Sequence, residues 1–213
     1  MRGLRRLLIL LLVLFALFAV ADRVAVHFAQ DQAAKQLQSQ RHLAAKPSVS
    51  IEGFPFLTQL IGSKLDEVRV RADGMTVDHG VRLKSFSADL KGVKVSSDYS
   101  SAVADSATGT ALISYADLTA ALPDHPAVSY AGPGKVKVSV SVDLPIVGKQ
   151  DLSGTVSPTV RDGSISFAGL DGIAPTLGLS GLPKNLTLES VSPQPDGVAV
   201  TVAGTQVALT ANS

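Results

Sequence analysis

Four histidines and a thin scatter of carboxylates are the side chains of this sequence best suited to binding a metal or to acid–base chemistry, and there is no cysteine. His27, His42, His79 and His125 lie far apart, and none forms the H-x-x-x-H pair that puts two imidazoles on one helix face. They read as solvated or structural histidines, so no metal site and no cofactor is expected. Zero cysteines remove a thiolate nucleophile and a disulfide framework together. Asp66 and Glu67 are adjacent carboxylates, but neighbours on a strand leave opposite faces, so they read as surface charges. Gly178-Leu179-Ser180-Gly181 has the wrong spacing for a nucleophile elbow, and no phosphate loop or dinucleotide fingerprint occurs. No catalytic residue is expected. A site assembled from distant residues leaves no such signature, so an enzyme remains an alternative.

The residues that stand out instead are apolar. Glu52-Gly-Phe-Pro-Phe-Leu-Thr-Gln-Leu-Ile-Gly62 packs Phe54, Phe56, Leu57, Leu60 and Ile61 into a short stretch behind a strand. It reads either as a core-facing turn and short helix or as an apolar lip that touches lipid. Leu177, Leu179 and Leu182 belong to a second apolar stretch, interrupted by Gly and Pro, with the same two readings. These eight side chains are the lipid-contact candidates.

The elements that must position them begin with an export segment. Arg2, Arg5 and Arg6 precede an unbroken apolar run from Leu7 to Ala21. Fifteen helical residues span roughly 22 Å, short of a ~30 Å hydrocarbon core. Ala19-Val20-Ala21 supplies a small-x-small cleavage pattern before Asp22. Residues 1–21 are therefore expected to be a signal peptide, or an anchor if cleavage fails, and residues 22–213 a single domain outside the cytoplasm. Residues 22–45 carry a narrow Ala-rich stripe (Val26, Ala29, Ala33, Leu37, Ala44) that predicts a closely packed helix ended by Pro47.

Beyond Pro47 the apolar period becomes two. Val49 and Ile51 open a strand, and Val68, Val70 and Ala72 continue the pattern. Residues 81–95 change parity twice, which a strand with one apolar face cannot do without an extra residue, so bulges are expected near Ser85 and Gly92. Residues 96–110 read as a loop, 110–113 as a short strand and 115–122 as a short helix. Val136 to Leu144 alternates without a break, and Arg161-Asp162-Gly163 marks a hairpin turn. Residues 169–183 read as a loop or short helix, and Leu186 to Leu209 as closing strands. Hairpin spacing implies antiparallel pairing.

The net charge of +1 comes from 19 basic and 18 acidic residues. Without Arg2, Arg5 and Arg6 the remaining 16 basic residues face 18 acidic ones, so there is no basic footprint for nucleic acid. Near-neutral charge also argues against a purely electrostatic membrane contact.

Three stretches together resemble the LmeA-like phospholipid-binding proteins of actinobacterial cell envelopes: Ala21-Asp-Arg-Val24, Ser48-Val-Ser-Ile-Glu-Gly-Phe-Pro-Phe-Leu-Thr-Gln-Leu60, and Leu65-Asp-Glu-Val-Arg-Val70 with Ala72-Asp-Gly74. The resemblance implies phospholipid as partner and, in mycobacterial members, support of mannose-containing lipoglycan synthesis. It also implies likeness to tubular lipid-binding folds. The expected fold class is α+β, a curved antiparallel β-sheet wrapping a long N-terminal helix. The expected function is an exported, non-enzymatic phospholipid-binding protein at the membrane surface, periplasm or cell envelope. An envelope enzyme, or a scaffold for a protein partner, is the alternative.

Overall fold

The computed structural model describes residues 2–40, 43, 45–76, 81–97, 101–122, 125–144, 148–161, 163–166, 176–178 and 185–210. Its helices are α1 (Arg2–Gln40), α2 (Phe56–Ile61) and α3 (Tyr115–Ala121). The strands are β1 (Ser48–Glu52), β2 (Lys64–Thr76), β3 (Arg82–Val95), β4 (Ser101–Ile113), β5 (Ala127–Tyr130), β6 (Val136–Leu144), β7 (Gly148–Val156), β8 (Thr159–Arg161), β9 (Ser164–Ser166), β10 (Thr176–Gly178), β11 (Leu186–Gln194) and β12 (Gly197–Thr210).

A six-stranded sheet runs β1-β2-β3-β4-β12-β11, and two three-stranded sheets run β5-β6-β7 and β10-β9-β8. The pairings described are antiparallel, as the hairpin spacing requires. The expected α+β class holds: a long N-terminal helix and a large antiparallel sheet. That sheet is open, with β1 and β11 at its edges. Residues between β4 and β11 form an insertion that carries α3 and the two small sheets. The main core lies where this insertion meets the large sheet. Ile113, Leu118, Leu122, Val136, Val138, Ile165 and Val198 are all at most 1% exposed there.

Several expectations need correction. Residues 101–110 are not a loop; they are most of β4, paired with β3 on one side and β12 on the other. Ala, Asp and Gly have weak strand propensity, and two long neighbouring strands override it. Thr176–Gly178 is a strand paired with β9, where a loop or short helix was expected. The described helix runs to Gln40, and Leu43 is already outside it, short of the expected end near residue 45.

The parity changes in β3 are real but are not two-against-one bulges. Pairing skips Gly92, which has a φ of +60°, on both of its sides. It also skips the facing residues Asp66, Asp105 and Gln206, and Gln206 is itself at +50°. Lys91 pairs with Ser106 before this row and Val93 with Ala104 after it, so the register never slips. Each of the four strands gives one residue to the same row, and the apolar parity changes in all four together. Gly74, at a φ of +65°, and Lys84 form a second skipped pair in β2 and β3. Among the described strands the register shift lies elsewhere, in β11 between Leu188 and Ser190.

Candidate functional site

Helix α1 is continuous from the N-terminal apolar run into the domain. Large apolar side chains from Leu4 to Val20 stand exposed, and the first buried residue is Asp22, at 0%. Its carboxylate accepts the Leu57 N–H at 2.8 Å and pairs with Arg23 at 2.7 Å. Helix α2 starts at Pro55, which makes no side-chain cap, so a carboxylate from another helix satisfies one of its free N–H groups. Arg23 also donates to the Gly53 carbonyl at 3.2 Å and lies 5.2 Å from the centre of the Phe54 ring. Further along, Gln30 donates to the Ile51 carbonyl at 3.3 Å, so α1 runs beside β1 and α2. Of the expected Ala-rich stripe, Val26 is buried, Ala29, Ala33 and Leu37 are half-buried and Ala44 lies outside the described residues; the buried Ala34 was not part of it.

This frame splits the apolar segment between its two readings. Phe56 is 3% exposed and faces inward, and Leu57 is half-buried. Phe54, Leu60 and Ile61 are 52%, 40% and 86% exposed. The segment is a core-facing anchor on one side and an apolar lip on the other. Gln59 ties it to the sheet by accepting the Asp66 N–H at 2.8 Å, which supplies a partner for that amide of the skipped row. Leu177 lies in β10, opposite Ile165, and belongs to a different sheet from the one α2 contacts. Leu179 and Leu182 lie outside the described residues.

The sequence shows an apolar face on each strand, but none of the side chains of the face that joins these elements was among the lipid-contact candidates. Cross-strand pairs put Ile51, Val68, Leu90 and Ala107 in one row and Val49, Val70, Ala88 and Gly109 in the next. These rows form one apolar face of the six-stranded sheet. On β1, β2 and β3 its side chains are only half-buried. On β4 it is floored by small residues, Ala107, Gly109 and Ala111, with Phe86 and Val202 leaning over Gly109. The absence of large side chains in residues 101–111 was the available signal, and it reads as a loop until β4 is known to be central.

The opposite face is polar. Arg69 contacts Glu67 at 2.8 Å and both Glu52 and Asp89 at 3.3 Å. Its pKa is raised, first by the Glu67 hydrogen bond. Asp105 accepts from Lys94 at 3.0 Å and Gln206 at 3.2 Å, which hold its carboxyl below the usual range against the opposing effect of burial. Two open depressions of about 380 and 450 Å³ lie on this side. The larger holds Glu67, Asp89 and Arg69, whose charges are already paired with each other. Among the described residues there is no cluster of His, Asp and Glu able to hold a metal ion. His27 and His125 are exposed. His42 and His79 lie outside the described residues.

No curated protein and no solved structure matches the chain. A family model does, over residues 20–203, from the last turn of the apolar run through Asp22, the lip, both faces of the sheet and the first half of β12. That span is most of the chain, and the protein belongs to the LmeA-like phospholipid-binding family.

Proposed function

We propose that this chain is an extracytoplasmic, non-enzymatic phospholipid carrier that lays acyl chains along the half-open apolar face of the six-stranded sheet and presents the lipid for envelope glycolipid synthesis. The observation that carries the reading is that face itself. Val49, Ile51, Val68, Val70, Ala88 and Leu90 form one contiguous apolar surface, yet none of them is fully buried. Apolar side chains at the centre of a finished core lose nearly all contact with water. Each methylene buried against such a surface contributes about 0.8 kcal/mol, so retention needs roughly ten or more carbons of an acyl chain in contact with it. Family membership supports the ligand class. The polar depressions favour an enzyme less, because the carboxylates of the larger one are committed to Arg69.

The test compares the two faces. The full chain is purified in mild detergent and its bound lipid measured by native mass spectrometry. Val70→Asp, on the apolar face, is expected to lower phospholipid occupancy by about tenfold or more, since a buried charge repels an acyl chain. Thr108→Asp, exposed on the polar face, is expected to leave it unchanged. Equal occupancy in both variants, or no phospholipid in the parent, would overturn the reading. Vesicle-to-vesicle transfer of a labelled phospholipid then separates a carrier from a static binder.

A further inference from the structure

The exposed apolar surface does not stop where the apolar run ends. Val24 and Phe28 are 64% and 66% exposed, and they continue the stripe of Val20 at helical spacing of four. On the other side of α1, latched through Asp22 and Arg23, stand Phe54, Leu60 and Ile61. Phe28 and Ile61 are among the most exposed large apolar side chains of the molecule, and both belong to the region where α1 enters the domain. We propose that Val24, Phe28, Phe54, Leu60 and Ile61 form a collar that seats in the outer leaflet of the bilayer holding the apolar half of α1.

The occupant follows from continuity. The apolar run of α1 reaches roughly 22 Å, short of a ~30 Å hydrocarbon core. Residues 24 and 28 extend the apolar stripe by two further turns on the side of α1 opposite Asp22 and Val26. An apolar collar at that level meets the shortfall without any bending of the membrane. The latch from Asp22 to α2 fixes the lip relative to the helix axis, so inserting the helix brings the lip to the interface in the same step. Arg23, half-exposed beside the Phe54 ring, suits the headgroup boundary, where a cation and an aromatic ring both find partners.

The chain has no cysteine, so single-cysteine labelling is clean. Ile61→Cys at the lip and Lys135→Cys in the β5–β6 turn are each labelled with an environment-sensitive dye. The full chain is reconstituted into vesicles of phosphatidylcholine and phosphatidylglycerol that carry a nitroxide on a shallow acyl carbon. Quenching is expected to be several-fold stronger at position 61 than at 135, with a blue-shifted emission. Equal quenching at the two positions overturns the proposal. So does a blue shift at 61 without quenching, which would place a second copy of the chain on the lip instead of lipid. Both sites are exposed, so folding is not in question. The collar is independent of the groove: a chain that retains phospholipid but shows no quenching at 61 loses the collar and keeps the carrier reading.

Discussion

Asp31 shows how single charges tie α1 to the domain. Its carboxylate pairs with Lys35 one turn on, at 2.7 Å, and with Lys46 in the segment leading to β1. The Lys35 hydrogen bond first, and then the one from Lys46, hold its pKa at about 2 against an ordinary 3.8. Asp105 and Asp196 are lowered in the same way, by Lys94 and Lys84 respectively. A carboxyl whose folded pKa lies below its unfolded one stabilises the fold fully above pH 3.8, and that contribution is lost as pH falls toward 2. Melting temperature is therefore expected to fall across this window, and Asp31→Asn to flatten part of the slope. All three groups are open to solvent, so the Asp31 share is small, on the order of 1–3 °C, and shrinks further in molar salt. A melting profile measured from pH 5 to 2 with no difference between Asp31→Asn and parent would show that the pair to Lys46 does not hold the helix.

At the scale of elements, the alternation of Val, Leu and Lys made β2, β3 and β6 legible, because period-two burial is written directly into residue type. The parity breaks in 81–95 were legible too, though not their construction. One strand cannot show whether its neighbours carry a matching irregular residue, and only the aligned row of Asp66, Gly92, Asp105 and Gln206 separates a bulge from a register-preserving kink. β4 was illegible for a related reason: Ala, Gly, Ser and Thr carry little period, and its identity comes from partners more than 70 residues away in β12. The lip was half legible. Phe56 and Ile61 look alike in sequence, and Asp22 decides between them by fixing how α2 is rotated. The kink row makes a specific prediction. A Cβ on Gly92 would meet the Asp105 carboxylate, whose own Cβ lies 3.0 Å away, in a backbone conformation that L-residues disfavour. Gly92→Ala is expected to cost at least about 1–2 kcal/mol from the backbone alone. Gly134, at a φ of +69° with open space around it, should show only that backbone part on the same change. Urea unfolding of both variants, and of Gly92→Ala in an Asp105→Ala background, separates strain from collision. Equal losses at Gly92 and Gly134 would mean that the row does not need the close approach.

For the whole molecule, the two ends have different jobs. The end capped by the insertion is filled: Ile113, Leu118 and Val198 are each at 1% exposure. The end that carries α2 and the apolar helix has a half-open face and a collar of exposed side chains. A ligand that fills the open face should therefore stabilise the molecule unevenly. At a phospholipid concentration 100 times the dissociation constant, binding adds about 2.7 kcal/mol, which for a chain of this size corresponds to roughly 5–10 °C in melting temperature. Hydrogen exchange locates where that stabilisation is felt. Amides of Val49–Ile51, Val68–Ala72 and Phe86–Leu90 should slow when phospholipid is added to the full chain in detergent. Those of β5 and β6, at the filled end, should change only through the shared global unfolding step, visible in the slowest exchangers. Uniform slowing with no gradient between the ends would place the lipid away from the apolar face. Slowing confined to Leu60, Ile61 and the last turns before Phe28 would mean that the collar meets lipid while the groove stays empty. A gradient that follows β1, β2 and β3 is what a sheet built half-open to receive acyl chains must give.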